Sequence, residues 1–183
     1  MEKSLKQLNN INSIVELIGN TPLIELNGFK ELSSDKRIFV KAEWFNPGGS
    51  IKDRAALSMI NNGITSKRLT SSKTIMDSSS GNTAIAYAMI GAALGFKVEL
   101  VTPENINVER KKTLQAYGAK IIYSSPFEGS DGAIIEARKL AKNFSDKYFM
   151  PDQYNNIANP DAHYKTTGPE IWDQTDGKIT HFV

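Results

Sequence analysis

No cysteine occurs in the 183 residues, which excludes disulfides, thiolate catalysis and cysteine-ligated metals. Histidine is nearly missing too. His163 and His181 are the only two, too few and too far apart for a catalytic pair or a metal site. Nor is there an excess of charge: 22 basic and 20 acidic residues leave a net +2, and no basic stripe interleaved with aromatics points to nucleic acid. The most apolar stretch, AIAYAMIGAALG (84–95), is too short to span a membrane and is followed by Lys97 and Glu99. The polar start MEKSLKQLNNINS has no apolar signal region. These absences lead to the expectation of a soluble, cytoplasmic protein with no metal and with neither nucleic acid nor membrane as partner.

What is present is a regular alternation. A composition that is 40% hydrophobic and a length of 183 residues suffice for one domain with a real core, or one and a fraction. RIFVKAEW (37–44) reads as a strand, followed by a helix that starts near Ser50 and fades at Asn62 and Gly63. KTIMDS is a second strand, SSGN a loop, and 83–94 a helix closed by Gly95. KVELVTP and AKIIYS are strands on either side of the amphipathic helix VERKKTLQAYG, with Gly118 as its stop signal, and GAIIEARKLAKNF is a further helix. Strands and helices joined by short connections predict an α/β fold, an open, mainly parallel sheet with helices on both faces. GKITHFV (177–183) reads as a turn and a strand that should lead into more chain. The expected organisation is a smaller α/β domain over 45–149, with 1–44 and 150–183 as parts of a larger, incomplete second domain.

Ligands of such folds sit at the carboxyl ends of the strands, in the loops before the helices. Two loops stand out there. In NPGGSIKDR (46–54), Ser50 is placed to cap a helix whose first turn holds Ile51, Lys52 and Asp53. Asp53 suits the positive end of the helix dipole and Lys52 does not. That field, with partial burial, would favour the neutral amine needed for Schiff-base chemistry and proton abstraction. The plain alternative is a solvated first-turn lysine. In DSSSGNTA (77–84), Gly81 permits a tight turn, and Ser79, Ser80, Asn82 and Thr83 offer donors beside free helix-start amides, an arrangement suited to a carboxylate or phosphate. The alternative there is ordinary helix capping. No Walker loop and no GxGxxG fingerprint occurs. Gly91 and Gly95 read as close-packing glycines, 109–112 (ERKK) as a solvated helix face, and His163 as a hydrogen-bonded structural histidine.

Taken together, IGNTPLIEL, NPGGSIKDR, SSSGNTAIAYA, TPENINVERKKTLQAYGA and DQYNNIANPDAHYKTTGPEIW resemble, in order, the motifs of the cysteine synthase family. These are pyridoxal-phosphate enzymes of the tryptophan-synthase-β fold type that include cystathionine β-synthase, and the O-acetylserine sulfhydrylase branch is the nearest match. The resemblance implies that Lys52 is the lysine that carries the cofactor and moves the substrate α-proton. Asn82 matches the asparagine bonded to the cofactor's phenolic oxygen. Ser79, Ser80, Thr83 and Gln153 match the residues that hold the substrate carboxylate. The implied reaction is a β-replacement in which sulfide displaces the substituent of O-acetylserine, or of a similar activated serine, to give L-cysteine. Two positions depart mildly, with Ser79 for the usual threonine and Ala84 for the usual glycine. In the family a strand like ITHFV leads to a glycine-threonine-rich loop that binds the cofactor phosphate, and no such loop follows within 183 residues. Binding of pyridoxal 5'-phosphate by this chain is therefore expected to be weakened or lost. Two readings stand side by side: the amino-terminal part of such an enzyme, inactive or weak alone, and a non-catalytic relative that binds a partner. The family implies a homodimer and, for some members, a serine acetyltransferase partner.

Overall fold

The computed structural model describes residues 12–29 and 36–183. A short antiparallel pair, β1 (Leu23–Glu25) and β2 (Phe39–Lys41), stands apart from the main sheet. The main sheet is built from β3 (Thr74–Ser78), β4 (Val98–Pro103), β5 (Lys120–Ser124) and β6 (Tyr148–Phe149), in the order β5-β4-β3-β6 with every pair parallel. The central strand β3 is buried along its whole length, as expected of a strand covered on both faces.

The crossovers are helical. They are α1 (Lys52–Thr65) ahead of β3, α2 (Asn82–Leu94), α3 (Val108–Ala116) and α4 (Gly129–Asn143). Strand period 2 decides which helix meets which side chain. Ile75 and Leu100 join Ala55, Met59, Ile60, Tyr87, Ile90 and Leu114 in a core under α1, α2 and α3. Met76 and Val101 face the other way and pack with Ala133 and Ala137 of α4. Helices thus cover both faces of an open parallel sheet, as the sequence pattern implied. After β6 the chain forms α5 (Ala158–Ala162), a π turn over His163–Thr167 and α6 (Gly168–Gln174). No helix among the described residues is long and apolar enough to cross a membrane.

Two expectations need correcting. The strand expected over 37–44 is only three residues long, because the chain turns into a 3-10 helix at Glu43–Phe45. The strand expected at the end of 177–183 does not form, and Phe182 is 79% exposed. An apolar, β-branched run becomes a strand only against a neighbour, and no described strand lies beside this one. Gly91 does serve close packing, since a methyl group there would run into Val98. Gly95 instead ends α2 in the left-handed conformation, φ +77°.

Candidate active site

Each main-chain crossover returns to the same edge of the sheet. Helix α1 ends where β3 begins, so it starts near the carboxyl edge, the edge where β3 leads into α2 and β6 leads into residues 150–157. The two loops singled out in the sequence therefore lie on the same edge of the sheet as Gln153, which bonds the second loop directly.

The first loop is shaped by its neighbours. Gly49 adopts φ +80° and donates to the carbonyl of Asn46 at 2.8 Å. The Asn46 amide reaches back to Glu43, while its Oδ1 accepts the Gly19 N–H at 2.9 Å. Ser50 Oγ accepts the Lys52 N–H at 3.2 Å, but the helix begins only at Lys52 with Ile51 at its cap position, so the cap falls one residue later than the expected Ser50. Lys52 itself is exposed and forms no ion pair among the described residues. The partial burial expected of it is absent, because its position at the helix start puts the side chain beyond the packed part of α1.

Two neighbours of Lys52 are buried in its place. Asp53 accepts the Gly48 N–H at 2.6 Å through Oδ2, its Oδ1 has no partner among the described residues, and burial lifts its pKa to about 6. The Arg54 guanidinium is bonded on every side, to Glu43 through Nε and Nη2, to Glu170 through both terminal nitrogens, and to Thr21 and Thr166. Lys41 adds a bond of 2.6 Å to Glu170. These bonds hold the Glu170 carboxyl down at about 2 against the opposing effect of burial, and they lower Glu43 as well. His163 donates to or accepts from Thr167 Oγ1 at 3.0 Å, as a structural histidine should. Its pKa is lowered, first by burial and then by the charges of Lys52 and Arg54, which places the α1 start beside the π turn.

The second loop is a closed ring of hydrogen bonds. Ser79 N–H donates to the Val101 carbonyl, continuing the β3–β4 ladder, and Ser79 Oγ accepts the Gly81 N–H at 3.3 Å. Thr83 Oγ1 donates to Gln153 Oε1 at 2.9 Å, and Gln153 Nε2 donates to the Ser78 carbonyl at 3.0 Å. One amide thus staples both ends of the loop. Arg110 of α3 reaches the Ser80 carbonyl at 3.5 Å. Among the described residues no side chain caps α2 at Gly81; the N–H groups of Ala84 and Ile85 bond to the Gly81 carbonyl, which leaves those of Asn82 and Thr83 for solvent or a ligand. The capping alternative for these hydroxyls is thereby set aside. Asn82 is exposed, with an amide unpartnered among the described residues. A cleft of about 200 Å³ opens beside the loop, lined by Ser78, Ser79, Ser80, Gly81, Gln153 and Tyr154 among others.

Two residues of this site escaped sequence reasoning. The Asp77 carboxylate, fully buried, accepts from the Ser78 N–H at 2.8 Å, the Tyr87 hydroxyl at 3.0 Å and the Gln153 N–H at 3.3 Å. Burial raises its pKa to about 6 and drives that of Tyr87 upward as well. An acidic residue ending a strand inside an apolar core was the available signal. Among the described residues no group of acidic or imidazole side chains is arranged to hold a metal.

The arrangement sets an exposed primary amine at one helix start and a hydroxyl- and amide-rich loop at another, both on the carboxyl edge of a parallel sheet. Residues 14–183 match the family of pyridoxal-phosphate dependent enzymes, and the chain belongs to it. Within that family it is similar to cysteine synthases. It is 49% identical over 173 residues to cysteine synthase of Aquifex aeolicus, covering 93% of this chain and 53% of that one. It is 44% identical over 175 residues to cysteine synthase B of Salmonella typhimurium, covering 94% and 56%. The crystal structure of cysteine synthase from Entamoeba histolytica superposes with a TM-score of 0.87 at 40% identity, over 93% of this chain and 51% of that one. The chain spans about half the length of these relatives.

Proposed function

We propose that this chain supplies the lysine and the carboxylate loop of a pyridoxal-phosphate-dependent β-replacement in which sulfide and O-acetylserine, or a similar activated serine, give L-cysteine. The observation that carries the reading is the convergence of Lys52, the 78–83 loop and Gln153 on one edge. The donor set fits the cofactor: Lys52 is a free amine for its aldehyde, and Asn82 keeps a free amide for its phenolic oxygen. Bound there, pyridoxal phosphate supplies an electron sink for the charge left when the substrate loses its α-proton.

The chain's own residues do the rest. Lys52, as the residue assigned to the cofactor aldehyde, accepts the α-proton and returns one at the same carbon. Ser79 and Ser80 orient the substrate carboxylate against the start of α2, while Thr83, whose hydroxyl proton goes to Gln153, serves the carboxylate through its backbone N–H. Gln153 spends Oε1 and one Nε2 hydrogen on the loop, leaving its second Nε2 hydrogen for the carboxylate. In this reading 45–149 forms the smaller, lysine-bearing domain, and 1–44 with 150–183 belongs to a second one. A homodimer and a serine acetyltransferase partner belong to the same reading. The exposed Trp44, Phe45, Tyr164 and Trp172 offer apolar surface for such contacts.

The test is titration of the purified chain with pyridoxal phosphate, borohydride reduction and mapping of the modified peptide by mass spectrometry. With cofactor affinity weakened, selective modification of Lys52 only at raised pyridoxal phosphate concentration, with a small change in visible absorbance on adding O-acetylserine, is the expected result. Scattered labelling of surface lysines with no response to the donor would overturn the proposal and leave a partner-binding module.

A further inference from the structure

Asp77 is a fully buried carboxylate beside the site, and it meets the substrate-binding groups only through the backbone N–H of Gln153. It lies on the face of β3 that packs under α1 and α2, between Ile75 and the loop, with 0% exposure. A carboxylate there loses its hydration and is retained only if donors replace it. Three do: the N–H of Ser78, the hydroxyl of Tyr87 and the N–H of Gln153. All three need an acceptor, and a carboxylate is the side chain that offers two acceptor oxygens and no proton. The elements it ties together are the start of the loop, helix α2 and the segment after β6. The Gln153 backbone is fixed by Asp77, while its side chain closes the loop at Thr83 and Ser78. Asn159 Nδ2 holds the carbonyl of Gln153 at 2.9 Å, so the residue is gripped from both peptide units.

We propose that Asp77 is a positioning residue of the carboxylate site, setting Gln153 and the 78–83 loop in the register that receives an amino-acid carboxylate. This rests on the β-replacement reading above. A residue that served the core alone would be better replaced by an apolar one, since buried charges seldom add net stability. Asp77 spends that stability on fixing the polar groups of one loop.

The test compares wild type with Asp77→Asn, Asp77→Glu and Tyr87→Phe by two measurements. The first is amide hydrogen exchange, read by mass spectrometry without cofactor. The second is the O-acetylserine concentration giving the half-maximal spectral change of the pyridoxal-phosphate-loaded chain, with Lys52 labelling run alongside. Asparagine presents one oxygen and one N–H₂, so it opposes at least one of the three donors. Asp77→Asn is expected to accelerate exchange about tenfold or more in peptides containing 78–83 and 153, with α4 and β5 unchanged, because a bond to a charged group is lost. It should raise the half-saturating donor concentration by about the same factor while Lys52 labelling persists. Asp77→Glu, which keeps two acceptor oxygens, should recover part of both effects, and Tyr87→Phe should give the smallest change. Wild-type half-saturation in Asp77→Asn, or exchange accelerated across the whole chain, would overturn the proposal. If wild type gives no donor response, the β-replacement reading falls. Exchange then decides the positioning role: localised acceleration supports it, and uniform or absent acceleration overturns it.

Discussion

Lys52 owes its place to residues that leave its amine untouched. The carboxylate of Asp53 closes on Gly48 so tightly that a methyl group on that glycine would meet it, and Gly49 beside it needs a left-handed backbone. Gly48→Ala must push Asp53 away and break the bond of 2.6 Å to the Gly48 N–H. It is expected to cost roughly 1–3 kcal/mol in urea unfolding, as overpacking generally does, and to slow labelling of Lys52 by pyridoxal phosphate. Lys52→Ala should behave in the opposite way. The side chain is exposed and unpaired, so stability should stay within about 0.5 kcal/mol of wild type, while the labelled peptide disappears from the map. Loss of both fold and labelling in Lys52→Ala would show that the amine has a structural partner. The placement of these positions was legible in the sequence, because NPGGSIKDR and SSSGNTA set a lysine and a run of small donors where helices start. The grip of Asp53 on Gly48, and that of Asp77 on Gln153, was not. A carboxylate looks the same in a sequence whether it meets water or a buried N–H.

Among the elements, Arg54 joins pieces that lie far apart in the chain. Its guanidinium, 2% exposed, sits between Glu43 and Glu170, residues that belong to the turn after β2 and to α6. Removing it leaves Glu43 to the neutral donors Thr21 and Asn46 and Glu170 to Lys41, although the two carboxylates are themselves only 14% and 15% exposed. Arg54→Ala is expected to cost about 3–5 kcal/mol, the usual consequence of breaking a buried pair from one side. Arg54→Lys should recover only part of that loss, since one ammonium cannot span both carboxylates in a bidentate fashion. Thermal unfolding of the two variants would show it, and an alanine variant as stable as wild type would mean that water replaces the clamp. Three strands of the main sheet, β3, β4 and β5, and the helices around them were legible because period 2 and period 3.6 alternate cleanly from 74 to 144, whereas the two-residue β6 was too short to show a period and the run at 37–44 pairs outside that sheet. Residues 150–176 were not legible, as their short helices and π turn are organised by partners such as Arg54, 116 positions away from Glu170. The run ITHFV was misread for the complementary reason: strand propensity was present, and the neighbouring strand it requires was not beside it.

For the whole molecule, these buried groups set how stability depends on pH. Asp53 and Asp77 have pKa values raised to about 6, above those of an unfolded chain, so the folded state binds more protons than the unfolded one between about 4 and 6. Their contribution is therefore complete in acid and is lost as pH rises through 6. Glu170, held down at about 2, and Glu43, also lowered, have the opposite sign. Their contribution is present above the ordinary carboxylate range and is lost as pH falls toward 2. His163, pushed below the ordinary histidine value, opposes the two aspartates on acidification below 6.5. Two carboxylates against one imidazole leave a net gain, so the melting temperature should rise as pH falls from 7.5 to about 5 and should drop steeply below about 4. Asp77→Asn, which cannot titrate, should flatten the rising part and leave the acid-side collapse in place, because that collapse belongs to the Arg54 cluster. Melting curves of both proteins across this range provide the check. A wild-type melting temperature that falls steadily from pH 7.5 to 5 would mean that the buried aspartates are hydrated in solution. The apolar surroundings that make Asp77 costly would then be open to water.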